Sequence, residues 1–333
     1  MAVNVALNGM GRIGRCILRH YVQSGRDDIE IVAVNAPDDI ERHVHLLKYD
    51  SIHGTLNAEV KGDENSFDAG RGKMQRFNTR NPEEVDWAAS GAEVVLECTG
   101  HFKKKDEAEK YRALSDVKVI ISAPSPDCDA TVVMGVNDEE LSKDHHIISI
   151  GSCTTNCLAP VAKVLDDNFG IKKGFVTTVH AYTNDQNITD AKHKDLRRAR
   201  AAALSMIPTS TGAAKAIGKV LPNLEGKLDG CAVRVPTPNV SMIDFNATVS
   251  RETNKDEIND IFKNAASAEM KGILEYVSLP LVSVDFNGNP NSSVFDATGT
   301  YVLDGNFIRI AAWYDNEWAF SVRMLDAASK LGS

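Results

Sequence analysis

The chain has 333 residues, 43% of them hydrophobic and 25% charged, with a formal net charge of −9. That length suggests two domains or one large one with real cores, and the acidic balance argues against nucleic acid as the main partner. No apolar run approaches the roughly 18 residues of a membrane span, no signal-peptide pattern opens the chain, and Cys16, Cys98, Cys128, Cys153, Cys157 and Cys231 lack metal-ligand spacing, so free thiols in a reducing cytoplasm and no bound metal are expected.

Val3–Leu7 reads as a short apolar strand, and Asn8-Gly9-Met10-Gly11-Arg12-Ile13-Gly14 follows it into a helix with Ile13, Ile17 and Leu18 on its apolar side. This is G-x-G-x-x-G between a strand and a helix. Gly9 permits the tight turn, Gly11 lets backbone approach a pyrophosphate, and Gly14 lets helix and strand pack closely. An ordinary glycine turn would show the same letters, but the context favours dinucleotide binding. Ile29–Asn35 reads as the second strand. An NAD-selective chain carries Asp or Glu at its end for the ribose 2′-hydroxyl; here Asn35-Ala36-Pro37 stands there, and the acids come later, at Asp38 and Asp39. A helix over Arg42–Lys48, a buried strand over Ala92–Glu97 ending in Cys98-Thr99-Gly100, a helix over Lys103–Leu114 and a strand over Val117–Ser122 complete the pattern. Strands alternating with helices predict a Rossmann-type doubly wound parallel sheet over about the first 150 residues, with Thr99, Gly100 and Ser122 at the ligand-collecting strand ends.

A strand-like run, Ile147–Ile150, leads into Gly151-Ser152-Cys153-Thr154-Thr155-Asn156-Cys157, after which Cys157, Val161 and Leu165 repeat at helical spacing. Cys153 therefore stands where a strand ends and a helix begins. Free amides and the helix dipole favour negative charge there and push the thiol toward thiolate, although a free cysteine is more often a small buried hydrophobe. A strand over Gly174–His180 ends in a histidine that can take a proton from a thiol or simply meet water. Residues 181–205 form a long polar segment with the basic run Lys194–Arg200, a functional loop or interface by its length. Pro208-Thr209-Ser210-Thr211-Gly212 opens a helix over Ala213–Val220, a start suited to an anion. Arg234, inside an apolar strand end, needs a partner, either a substrate phosphate or an internal carboxylate. Strands near 240–250 and 307–313 and a helix near 255–267 predict an α+β domain with a mostly antiparallel sheet, and Trp313–Trp318 leads into a terminal helix.

With these pieces laid out, the chain resembles the glyceraldehyde-3-phosphate dehydrogenases of the bacterial phosphorylating type. The stretches that carry the resemblance are Asn8–Arg15, His45–Gly54, Ser152–Pro160, Thr178–Gln186, His193–Ala203, Ile207–Lys215, Arg234–Val240 and Trp313–Trp318. The resemblance implies oxidation of D-glyceraldehyde 3-phosphate to 1,3-bisphosphoglycerate in glycolysis or gluconeogenesis, with Cys153 as nucleophile and His180 as base. It places Thr183 and Arg234 on the substrate phosphate, and Ser152, Thr154, Arg198, Thr211 and Gly212 on the attacking inorganic phosphate. It places Gly9, Gly11, Arg12, Ile13, Gly14, Ala36, Arg80, Thr99, Gly100, Ser122, Lys192 and Asn316 around an NAD or NADP cofactor. It also implies a homotetramer, a cofactor domain over 1–152 with helix 317–333 packed back on it, and a catalytic domain over 153–316.

The chain departs from the family pattern in four places. Met10 stands for Phe, Ile150-Gly151 for Asn-Ala, and Phe320 for a Tyr near the nicotinamide. Ala36 and Ala191-Lys192 stand for Asp and Leu-Pro, which removes a carboxylate that repels a 2′-phosphate and adds a cation that attracts one, so NADP is expected alongside or ahead of NAD. The rival readings are erythrose-4-phosphate dehydrogenase, whose members read His-Ser-Ala-Met where this chain has His180-Ala181-Tyr182-Thr183, and a non-catalytic binding role.

Overall fold

The computed structural model describes residues 2–333, and the chain separates into two compact units. One holds residues up to 134 with 138–152 and 320–333; the other holds 135–137 and 153–319.

In the first unit the strands are β1 (Val3–Asn8), β2 (Ile29–Asn35), β3 (Tyr49–Asp50), β4 (Gly54–Thr55), β5 (Lys61–Gly62), β6 (Ser66–Asp68), β7 (Lys73–Phe77), β8 (Val94–Glu97), β9 (Lys118–Ile121), β10 (Ala130–Thr131) and β11 (Ile147–Ser149), with helices α1 (Arg12–Ser24), α2 (Ile40–Lys48) and α3 (Lys105–Ala108). The main sheet runs β10-β11-β9-β8-β1-β2-β7-β6-β5. It is parallel from β10 to β7, and β6 and β5 add antiparallel edges. Strand order reverses at β1, between β2 and β8, so the glycine-rich turn lies at the switch point where open α/β sheets bind ligands. The central strands are nearly continuous apolar runs, as burial on both faces demands.

The turn has the geometry its glycines imply. Gly9 has φ +104, and a Cβ on Gly14 would lie 2.0 Å from the Gly9 carbonyl oxygen. A Cβ on Gly11 would meet nothing within 4 Å, which leaves that side of the backbone open to a ligand.

The helix expected over Lys103–Leu114 is broken. α3 ends at Ala108, and the chain tightens into a 3₁₀ turn over Glu109–Arg112 that carries Tyr111 into the core. Its hydroxyl donates to Glu97, a carboxylate 1% exposed at the end of β8. Asn8 Nδ2 reaches the same oxygen at 2.9 Å. The other oxygen accepts from Thr99 N at 2.7 Å, Gly100 N at 3.0 Å and the Thr99 hydroxyl. Neutral donors alone bond this anion, as buried polar groups require. Asn35 Nδ2, at the end of β2, donates to Asn8 Oδ1 at 2.7 Å, so one network ties together the ends of β1, β2 and β8.

In the second unit the strands are β12 (Ile171–Ala181), β13 (Ile207–Ser210), β14 (Leu228–Val235), β15 (Ser241–Val249), β16 (Leu274–Val277), β17 (Ser293–Leu303) and β18 (Phe307–Tyr314), with helices α4 (Cys153–Phe169), α5 (Ala213–Val220) and α6 (Lys255–Ser267). The sheet order β13-β14-β12-β15-β18-β17-β16 is mostly antiparallel, with parallel pairs β12–β14 and β16–β17. β15 alternates buried and half-buried residues without a break, the pattern of a one-faced strand. α4 is buried around most of its circumference, Cys157, Val161 and Leu165 included, as a core helix should be. Asp315 Oδ1 accepts from Glu317 N and Trp318 N and so starts the last helix, α7 (Trp318–Gly332).

Candidate active site

Cys153 is the first residue of α4, and His180 is the penultimate residue of β12. The fold brings Cys153 Sγ to 3.5 Å from His180 Nε2. His180 Nδ1 lies 2.7 Å from the Ala181 carbonyl oxygen. The parallel pairing of β12 with β14 sets His180 opposite Arg234, whose Nη1 lies 2.9 Å from His180 Nδ1, 3.0 Å from the Ala181 oxygen and 3.5 Å from Thr183 Oγ1.

Burial dominates the electrostatics. It drives the His180 imidazole down to about 3, with the Arg234 charge adding to the effect. It also pushes the Cys153 thiol up, against the opposing pull of the Arg234 charge, the Thr154 hydroxyl and the amides at the helix start. The helix start thus acts in the expected direction but is outweighed by burial. Tyr314 closes the floor. Its hydroxyl lies 2.8 Å from both Thr154 Oγ1 and Thr178 Oγ1, and its ring meets His180 edge-on.

Among the described residues Arg234 keeps only uncharged partners. Its Nε is buried with no hydrogen-bond partner, burial lowers its affinity for its proton, and no carboxylate among the described residues pairs with it. Arg198, the other arginine picked out by sequence, is already occupied: it bonds Asp185 at 2.5 Å, Thr209 Oγ1 at 3.0 Å and the Ser210 carbonyl at 3.2 Å. Beside Ser210 stand Thr211, whose Oγ1 accepts from Ala213 N at 3.2 Å, and Gly212, the cap residue of α5. The Thr154 hydroxyl is engaged with Tyr314. Ser152 falls in the first unit, immediately before the nucleophile.

Asn316 Oδ1 accepts from Ser241 Oγ at 2.8 Å, and Ser241 Oγ in turn accepts from Ala181 N at 3.0 Å. This fixes the amide of Asn316 and links it to the strand end that carries His180. Lys192 lies exposed in the 182–206 segment, which is built from turns and internal ion pairs such as Arg200–Asp190.

The cofactor candidates of the first unit line its switch point. Gly9, Gly11, Ile13 and Gly14 form the turn, and Thr99, Gly100 and Ser122 follow β8 and β9. Arg12 is bonded to the buried Asp50, and that guanidinium and two backbone amides hold Asp50 well below the usual carboxylate range despite its burial. Ala36 is fully buried. Asp38, two residues on, adopts φ +82, rare for a side-chain-bearing residue. Arg76 holds this turn through the Ala36 and Asp38 carbonyls at 2.9 and 2.7 Å. The Asp38 carboxylate takes both of its oxygens to the exposed Arg80, at 2.8 and 2.9 Å. The sequence reading singled out neither Tyr314 nor Ser241 nor Glu97. A tyrosine and a serine at ordinary strand positions carry no local signal, though a Glu ending an apolar strand does.

Residues 3–105 match the NAD-binding domain of glyceraldehyde 3-phosphate dehydrogenase, and residues 152–316 match its C-terminal domain. The chain is 54% identical over 332 residues to the glyceraldehyde-3-phosphate dehydrogenase of Xanthobacter flavus, covering all of this chain and 99% of that one. It is 51% identical over 332 residues to that of Cereibacter sphaeroides and 52% identical over 330 residues to glyceraldehyde-3-phosphate dehydrogenase 1 of Bacillus cereus, with coverage of 98% or more on both sides.

Proposed function

The chain belongs to the glyceraldehyde-3-phosphate dehydrogenase family, and on that premise we propose the role of each residue in the phosphorylating oxidation of glyceraldehyde 3-phosphate. The observation that carries the proposal is the half-buried Arg234 without an anion, beside a thiol–imidazole pair. A buried cation without a carboxylate is costly, and the phosphate of the substrate relieves it, with Thr183 as a second donor.

Cys153 attacks the aldehyde carbon while His180 Nε2 takes the thiol proton and then returns it to the former carbonyl oxygen, which gives a thiohemiacetal. The backbone amide of Cys153 and His180 steady the developing oxyanion. His180 then accepts the hydroxyl proton as the thiohemiacetal is oxidised to a thioester. The nicotinamide dinucleotide, when bound, supplies the hydride acceptor. Inorganic phosphate, held by Ser152, Thr154, Arg198, Thr211 and Gly212, displaces Cys153 from the acyl carbon, which frees the thiolate to recover its proton. Covalent capture splits one difficult displacement into two easier ones. Thr154 must exchange Tyr314 for phosphate to take part.

The open Cβ position of Gly11 and the positive φ of Gly9, which suits glycine, fit the backbone approach of a pyrophosphate. Arg12, Ile13, Thr99, Gly100 and Ser122 line the same strand ends, and Asn316 binds the carboxamide. The protein takes both NAD and NADP in this reading. Asp38 offers a carboxylate to a 2′-hydroxyl, a 2′-phosphate draws Arg80 away from it, and Ala36 and Lys192 present no opposing charge. The apolar side chains of Ile188, Leu196, Leu204 and Met206 are 73–89% exposed on the 182–206 segment, which supports burial in a homotetramer. Six free thiols suit a reducing cytoplasm. Neither erythrose-4-phosphate dehydrogenase nor a purely binding role draws support from the matched relatives.

The test is an initial-rate assay at 340 nm with glyceraldehyde 3-phosphate, NAD or NADP, with and without inorganic phosphate. Phosphate-dependent reduction is expected with both nucleotides. Reduction indifferent to phosphate would refute the phosphorylating role. If NADP worked about 100-fold less well than NAD, and Ala36→Asp left both efficiencies unchanged, the cofactor reading would fail.

A further inference from the structure

Arg76, on β7, is 7% exposed and has no role in the reaction steps above. Its guanidinium reaches the turn that follows β2. Nη2 donates to the Ala36 and Asp38 carbonyls at 2.9 and 2.7 Å, and Nη1 donates to the Glu64 carbonyl at 3.2 Å. Its Nε is buried with no hydrogen-bond partner. All three acceptors are neutral. The carboxylates of the neighbouring turns are engaged elsewhere: Asp38 with Arg80, Asp39 with Arg42 and the Glu41 amide, and Asp63 with the Ser66 hydroxyl and the Asn65 amide. Among the described residues, a full positive charge is therefore buried under the end of β2 with no anion paired to it.

An arginine can serve as a plain stitch between loops. Two features of this one point further. The first is its place. The end of β2 is where a dinucleotide-binding sheet meets the adenosine ribose, and where a carboxylate selects the 2′-hydroxyl. Ala36 brings no carboxylate there, and a cation lies beneath it instead. The second is the direction of the backbone around it. The chain has no cis peptide bond, so the Asp38 carbonyl, turned in to Arg76, sends the Asp39 N–H the opposite way. No acceptor among the described residues takes that N–H. Asp39 is also the cap residue of α2, and a helix start favours negative charge. A buried cation on one side of the turn and an open amide on the other both suit an anion.

We infer that Arg76 is a specificity-determining residue, which biases this turn toward a dinucleotide carrying a 2′-phosphate. It acts without contact to the phosphate: it holds the Ala36–Asp38 turn in shape and sets a positive field across it. The side chains of Arg80 and Asp38 are 78% and 60% exposed, so water and salt weaken their fields. The buried guanidinium keeps more of its own. Two cations of different kinds then read the 2′ position, one at the surface and one fixed beneath it. The inference rests on the cofactor site proposed above.

The experiment measures the dissociation constants of NAD and NADP by titration calorimetry on the full chain in phosphate-free buffer, and reads their ratio. Arg76→Gln removes the charge and keeps an amide donor for the turn. It is expected to weaken NADP relative to NAD by about tenfold or more. Arg76→Lys keeps the charge and is expected to hold the ratio within about threefold of wild type, even where both constants rise. An unchanged ratio in Arg76→Gln, whatever the individual constants, would show Arg76 to be a stitch only and would overturn the inference. A shift in Arg76→Lys as large as that in Arg76→Gln would overturn it too. Should Arg76→Gln fail to fold, Arg80→Gln, at an exposed position, decides instead. With Arg76 in place the ratio is expected to shift by less than about tenfold, and a larger shift would assign the selectivity to Arg80 and overturn the inference. Failure of the underlying site reading is distinct, because wild type would then bind neither nucleotide.

Discussion

Tyr111→Phe isolates the network that ties the ends of β1, β2 and β8 together. The substitution keeps the ring, and with it the contacts to Trp87 at 5.8 Å and Phe102 at 5.7 Å between centroids. It leaves no cavity larger than a hydroxyl. It removes one of five donors from a carboxylate that is 1% exposed and whose partners are all neutral. A hydrogen bond to a charged acceptor contributes about 1.5–3 kcal/mol, and one left unmade in the interior costs at the upper end of that range. The expected loss is therefore about 2–3 kcal/mol, or roughly 5–10 °C in the melting transition of a unit of this size. Urea unfolding of the variant should show a lowered midpoint at unchanged slope, while the rate of Cys153 alkylation, which depends on the other unit, stays at the wild-type value. A loss under about 0.5 kcal/mol, the level of an ordinary surface substitution, would mean that Glu97 is solvated rather than held by the five donors, and the argument would fall.

The glycine turn yields a paired test. Gly14→Ala puts a Cβ against the Gly9 carbonyl oxygen at 2.0 Å and should destabilise the protein and abolish cofactor binding together. Gly11→Ala meets nothing within 4 Å, so it should melt like wild type yet raise the cofactor KM by about tenfold or more. Thermal melts alongside nucleotide titrations separate the two outcomes. His20 supplies a pH dependence. Burial, with the Arg26 charge behind it, lowers its imidazole from 6.5 to about 4, so the unfolded chain takes up its proton first. Its contribution to stability is complete above about pH 6.5 and is lost as pH falls toward about 4, by at most about 1.4 kcal/mol per unit before solvent screening reduces it. His20→Gln should flatten that part of the stability profile, and an unchanged profile would rule His20 out.

Much of the fold was legible because its signals are local. A strand, a glycine turn and a helix occur within the first 24 residues, and period-2 alternation marks β15 without reference to any neighbour. The short strands between Tyr49 and Phe77 were not legible, since two- and three-residue elements are defined by the strand they pair with rather than by their own pattern. β17 hides its alternation behind a register shift between Asp296 and Tyr301, where a Cβ on Gly299 would meet Arg309 Nη1 at 2.9 Å. The helix expected to reach Leu114 stops short because Tyr111 bonds Glu97, a contact spanning 14 residues that outweighs local helix preference.

The candidate site divides along the same line between local and non-local information. Cys153 can be placed at a helix start from its neighbours alone. Its proton affinity cannot, because burial by residues far along the chain outweighs the amides of the first turn. Arg234 is the reverse case. Sequence shows a cation that must find an anion but cannot choose between a carboxylate of the protein and a phosphate of the substrate, and the choice follows only when every facing group is known. Among the described residues Arg198 has Asp185, Arg12 has Asp50, Arg80 has Asp38, and Arg234 has no carboxylate. An arginine with a carboxylate gives up little of its solvation to a new ligand, whereas one without a partner recovers by binding an anion what burial took away. Substrate phosphate is therefore expected to bind first and tightest at Arg234 rather than at Arg198, and Asp185→Asn, which unpairs Arg198, should strengthen inorganic phosphate binding while leaving the KM for glyceraldehyde 3-phosphate within about twofold. An equal fall in both constants would show that the two arginines share one anion site, and the separation of roles between them would be lost.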